Sequence, residues 1–185
     1  MIMFVTKFLA LHLLLTLTQT PAIRTSANEE RLTFTLPTAP WVLSYPRSGM
    51  MLQEQKSKPD GSGVFYSFSD ERNQMMISFF IEPVKECKDS KSCRDMVLKA
   101  GNPGWENPQN MAQAEIGDVS YFEFFIPSFQ GVPLKQQNMY AEFVKDGYWV
   151  DLHISKILYE PQDHDLFERV VKSVKFEPKS VQQSQ

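Results

Sequence analysis

The sequence predicts an α+β domain in which an antiparallel sheet of hairpins is packed by two or more helices. Three observations carry this expectation. Segments rich in β-branched and aromatic residues alternate with turns holding Gly, Pro, Asn and Asp. Two stretches change to the period of an amphipathic helix. The connections between successive strand-like segments are short, which suits hairpins and excludes the long crossovers of a parallel sheet.

Five strands come first, at Leu32–Leu36, Trp41–Ser44, Met50–Gln55, Val64–Phe68 and Met75–Ile81, with turn clusters at 58–63 and 69–73. A helix follows from Ser90 or Ser92 as N-cap, because Cys93, Met96, Val97 and Ala100 stand at i, i+3, i+4 and i+7 and Gly101 closes it. Residues 101–110 hold two Pro, two Gly and three Asn, so they read as a loop that carries one large aromatic, Trp105. Three strands are expected at Val119–Ile126, Leu134–Val144 and Tyr148–Ile154, the last two joined by the hairpin signal Lys145-Asp-Gly147. In the last of them Tyr148, Val150, Leu152 and Ile154 share the core face, while Trp149, Asp151, His153 and Ser155 share a face expected to be solvated. A second helix starts at Asp163, with Leu166, Phe167, Val170, Val171 and Val174 on one stripe, and a short strand Val174–Phe176 ends the fold.

Residues 1–27 have the layout of a secretory signal peptide: Lys7, an apolar stretch from Phe8 to Leu17, then small and polar residues. The apolar stretch is about ten residues, against the roughly 20 needed to cross a bilayer. Small residues allow cleavage after Ala22 or Ala27, and Ala27 is preferred; an uncleaved anchor is the alternative. The expected organisation is therefore a signal peptide at 1–27, one domain at 28–177 and a disordered polar tail at 178–185. The protein is expected to be exported, periplasmic or secreted, with no membrane span left after cleavage.

The formal charge is −3, and losing Lys7 and Arg24 makes the domain more acidic. Binding to a nucleic-acid backbone needs clustered positive charge and is not expected. Cys87 and Cys93, with five residues between them, are expected to form a local disulfide in an oxidising compartment. A redox pair would more typically be Cys-x-x-Cys, and a zinc site needs further ligands.

The opening Phe34-Thr-Leu-Pro37 with Trp41, the hairpin meander, and the closing helix and strand from Asp165 to Phe176 resemble the PsbP-like family of exported α/β/α domains. The resemblance implies an α/β/α sandwich, and a role as an accessory or assembly protein at a membrane complex, without a catalytic site common to the family. It carries over no binding residue, and the Cys87/Cys93 pair is not part of the pattern.

Nucleotide-binding glycine motifs, the hydrolase Gly-x-Ser-x-Gly and the metalloprotease His-Glu-x-x-His are absent from the sequence, so no cofactor or metal is expected. Asp151, His153 and Ser155 tempt a triad reading, but alternate residues on one strand stand about 6.5 Å apart in a row. The paired methionines Met50-Met51 and Met75-Met76 face opposite sides of their strands and suit core filling better than copper binding. Trp105 is either a plug against the core or an anchor for a partner. Trp105, Trp149 and His153 are the candidate partner-binding residues. The expected function is that of an exported, non-enzymatic accessory domain binding a protein or cell-envelope component. Two alternatives are a carrier of a small apolar ligand, and an enzyme of unrecognised type using His153 with Asp151 or Glu142.

Overall fold

A computed structural model describes residues 23–25, 31–47, 49–101, 105 and 107–179. The signal-peptide stretch 1–22, residues 26–30 around the Ala27 cut, and most of the expected tail, 180–185, lie outside the described residues.

The chain order is β1 (Ile23–Thr25), β2 (Arg31–Phe34), β3 (Trp41–Pro46), β4 (Met51–Ser57), β5 (Val64–Asp70), β6 (Met75–Pro83), α1 (Ser90–Ala100), β7 (Gln109–Ile116), β8 (Val119–Phe129), β9 (Val132–Lys145), β10 (Tyr148–Lys156), a 3₁₀ turn (Pro161–Asp163), α2 (His164–Ser173) and β11 (Lys175–Pro178). Among the described residues these strands form two sheets, β4-β5-β6-β10-β9-β8-β7 and β1-β2-β3-β11, and their pairings are antiparallel.

Alternation decides which side of the large sheet meets the core. Met75, Ile77, Phe79 and Ile81 of β6 are buried in one cluster with Val150, Leu152 and Ile154 of β10 and Met139, Ala141 and Phe143 of β9. Much of this face is covered by the small sheet as well as by a helix, a layer that the expectation of a sheet packed by two or more helices did not include. Phe34 of β2 is fully buried and meets Tyr66, Phe68 and Phe79 at ring distances of 4.9, 5.5 and 5.1 Å. From β3, Trp41 stacks edge-on against Tyr148 and Phe176 and donates to the Lys145 carbonyl at 3.2 Å. The α2 stripe adds Phe167, Val170 and Val171 to the same core. The second face carries a smaller cluster of Phe122, Phe124, Ile126 and Tyr140, against which Val97 and Leu98 of α1 pack.

Several boundaries move for local reasons. The N-cap of α1 is Asp89: its side chain accepts from the Ser92 amide at 2.8 Å, and Ser92 Oγ accepts from the Asp89 amide at 3.1 Å. The carboxylate outcompetes both expected serines, and Ser92 becomes its reciprocal partner. Strand β7 takes up the end of the expected loop; its residues are exposed except for half-buried Ile116, so no alternation marked it. At the carboxy end β11 reaches Pro178, and Lys179 Nζ donates to the Leu36 and Pro37 carbonyls, so order extends past residue 177. Strand β1 lies within the segment expected to be removed as signal peptide, pairing Ile23 with Phe34. Met50 and Met75 are buried while Met51 and Met76 are 46% and 49% exposed, as opposite-facing neighbours must be. Cys87 and Cys93 form a disulfide with Cα atoms 4.9 Å apart, tying the first turn of α1 to the chain before it. No described helix is long and apolar enough to cross a membrane.

Candidate functional site

The second face of the large sheet brings the sequence candidates together. Register places Asp151 opposite Glu142, His153 opposite Tyr140 and Ser155 opposite Asn138, so β9 and β10 present one continuous row. The face expected to be solvated is instead largely covered. Glu142 and Asn138 are 0% and 3% exposed, while Asp151, His153 and Trp149 are half-buried. The covering groups are α1 and the Trp105 indole, which folds back onto Phe122, Phe124 and Tyr140 at ring distances of 5.6, 5.0 and 5.7 Å. Trp105 Nε1 also donates to Tyr140 Oη at 3.3 Å. This is the plug geometry.

Two carboxyls meet under this cover. Trp149 Nε1 donates to Glu142 Oε2 at 2.5 Å, but Glu142 Oε1 and Asp151 Oδ1 are buried without a hydrogen-bond partner. Burial, and for Glu142 also the neighbouring Asp151, favours the protonated acids. Glu142 is pushed well above the usual carboxyl range, and Asp151 is pushed up to about 7. A proton held by either acid removes the charge that neither site can solvate. Trp149 also packs edge-on against Phe80.

His153 does not join them. Its ring stacks on Tyr140 at 4.2 Å and 10°, and its Nε2 lies 3.2 Å from Asn138 Oδ1. Burial lowers its pKa to about 4, so the imidazole is neutral at ordinary pH. Its hydrogen bond thus goes to an amide, with Asp151 and Ser155 standing along the same strand as the row geometry required. Among the described residues, no group of three or more His, Cys, Asp or Glu side chains is placed to hold a metal ion.

The end of this row opens into a cleft of about 480 Å³ bounded by Trp105, Phe129, Leu134, Tyr140, Asn138 and His153. A second cleft of about 570 Å³ lies on the opposite side of β8 and β9, between Phe125, Pro133, Lys135, Tyr159 and Pro161. Nearby, the β8–β9 hairpin tip exposes Phe129 and Val132 at 46% and 64%, and the segment after β10 exposes Ile157 and Leu158 at 40% and 52%. These form one end of the sheet, since Leu158 N donates to the Leu134 carbonyl and Ile157 N to the Gln74 carbonyl, both at 3.2 Å. Trp105 and His153 therefore border a cleft beside an apolar rim, whereas Trp149 sits at the other end of the row on Glu142. Sequence reasoning missed Asn138, Gln136 and the rim. The even-numbered face of β9 contained the signal for the first two.

This mostly antiparallel α+β domain resembles PsbP in fold. The solution structure of cyanobacterial PsbP (CyanoP) from Synechocystis sp. PCC 6803 matches it with a TM-score of 0.52, over 79% of this chain and 92% of that one, at 13% sequence identity. This is a likeness of fold. No protein-family model matches the chain, and no curated protein matches it in sequence.

Proposed function

We propose that this chain is an exported, non-enzymatic accessory domain, an α/β/α sandwich that docks on a protein or cell-envelope partner through the apolar rim formed by Phe129, Val132, Ile157 and Leu158. The observation that carries this reading is the rim itself: four large apolar side chains between 40% and 64% exposed at one end of the sheet. Water-facing hydrophobic residues are ordinary when scattered, but grouped ones mark interaction surfaces. The PsbP-like fold supports an accessory role, and the disulfide is consistent with an oxidising compartment. Trp105 and His153 would then shape the ground behind the rim, and Trp149 would hold the carboxyl pair.

Photo-crosslinking in the native host tests the docking. A benzophenone side chain placed at Val132 or at Leu158 should capture the same single component, and one placed at exposed Lys91 on α1 should not. Capture from Lys91 alone, or from no position, would overturn the reading. Intact mass tests export: the exported protein should begin at Ile23 or Asn28 with both cysteines oxidised. Retention of Met1 in the exported protein would contradict cleavage. The choice of cut matters to the fold, because only cleavage after Ala22 leaves β1 in place.

A further inference from the structure

The cleft beside Trp105 has features that a docking rim does not need. Its volume, about 480 Å³, lies within the roughly 300–1,000 Å³ of small-molecule pockets. Its walls are Trp105, Tyr140, Phe129 and Leu134, and among the described residues no carboxylate, lysine or arginine lines it. Polar groups converge at one point of the floor. Asn138 Oδ1 accepts from Gln136 Nε2 at 2.8 Å and, in the tautomer that carries the proton on Nε2, from His153 Nε2 at 3.2 Å. The other end, Nδ2, is left as a donor with no acceptor, on a side chain 3% exposed. A buried donor without a partner is costly, and native structures seldom keep one without a use. The larger cleft on the other side offers no such group: it is lined by Lys135 and Glu160, and its Gln137 is already bonded to Glu123.

We propose that the Trp105 cleft is a binding site for an uncharged, flat aromatic molecule bearing one carbonyl-type acceptor. The ring lies against Trp105 and Tyr140, and the carbonyl takes the free hydrogen of Asn138 Nδ2 as half-buried Gln136 swings aside. The absence of a lining charge selects against ions, since a carboxylate brought into this cleft loses its water and finds no cation. The lone donor selects for a single acceptor, because a site that supplies a hydrogen bond discriminates strongly against an analogue that cannot accept it. The proposal is independent of the docking reading, because it concerns the isolated protein and a small molecule.

The test uses the purified, disulfide-bonded protein and prodan, a neutral naphthyl ketone whose emission shifts to the blue in an apolar site. Saturable binding of one prodan per chain is expected, displaced by 2-acetonaphthone and at least tenfold less well by 2-naphthoate or 2-ethylnaphthalene. Asn138→Leu should weaken prodan binding at least tenfold. Leu134→Trp, which fills the cleft from a half-buried wall position, should abolish it while the melting temperature stays within a few degrees of wild type, so the conclusion does not depend on Asn138→Leu folding well. No saturable binding to the wild type, undiminished binding to folded Leu134→Trp, or 2-naphthoate competing as well as the ketone would each overturn the proposal.

Discussion

Replacing Glu142 by Gln should make the protein more stable at pH 8 and flatten the dependence of its stability on pH. Glu142 is fully buried, and the acid facing it, Asp151, is raised to about 7 from a usual 3.8. Both carboxyls therefore keep protons in the folded state that they release in the unfolded chain above pH 4 to 5. Their favourable contribution is complete below those values and is lost as pH rises through the folded ones. The interval from 3.8 to about 7 corresponds to about 4 kcal/mol for Asp151. Relaxation around a half-buried residue reduces this to about 2 kcal/mol. His153 acts in the opposite sense: its folded value, about 4, lies below the usual 6.5, so its contribution is complete above 6.5 and is lost as pH falls through 4. Between pH 4.5 and 6.5 the histidine partly offsets the acids, and above 6.5 only the acids act. Wild-type stability should accordingly fall most steeply between pH 6.5 and 7, after the histidine's offset ends and before Asp151 has given up its proton. In Glu142→Gln the amide oxygen still accepts from Trp149, one buried acid is gone, and an N–H donor replaces an unpartnered oxygen. The variant should gain about 1–2 kcal/mol at pH 8 and little at pH 5, consistent with the cost of keeping a buried charge. Urea unfolding at pH 5, 6, 7 and 8 reads this directly. A wild-type stability that rises from pH 6.5 to 8, or a variant destabilised by 2 kcal/mol at pH 8, would refute the reasoning.

Three further outcomes are expected. Trp105→Ala should lower stability by about 2 kcal/mol in thermal or urea unfolding, because it removes three ring contacts from a half-buried aromatic; an unchanged midpoint would mean that the indole does not plug the face. His153→Ala should cost about 1–2 kcal/mol, more than a surface change, since it removes the Tyr140 stack and the Asn138 bond. Converting both Cys87 and Cys93 to Ala should cost about 2 kcal/mol, the value for closing so small a loop, with the fold kept as judged by circular dichroism.

The meander and both helices were legible because local period and turn chemistry encode them: Lys145-Asp-Gly147 closes a hairpin whichever surface lies above it. The small sheet was not. Its β3–β11 pairing joins Ser44 to Lys175, and no local pattern states which distant strand will lie alongside. Strand β7 was missed because an exposed edge strand has no need to alternate. Trp105 and His153 were picked out by residue type, but what they do depends on burial. His153 and Asp151 stand on the non-core face of β10, where composition argues for water; only α1 and Trp105, placed by tertiary contacts, turn that face into an interior. Glu142 shows the limit plainly, since a glutamate is rarely buried and its letter gives no sign that it will be.

The Ser90 hydroxyl, at the first turn of α1, accepts from the Ser120 amide and donates to the Glu142 carbonyl, both at 2.5 Å. Ser120 and Glu142 are register partners on β8 and β9, so a helix side chain completes the ladder at this rung. Hydrogen exchange at the Ser120 amide will therefore report the docking of α1, while the amides further along β8 report the sheet. If α1 lifts, this one proton becomes free before any strand separates. A single backbone position thus serves as a gauge of whether the helix, its disulfide and the covered face beneath them are in place.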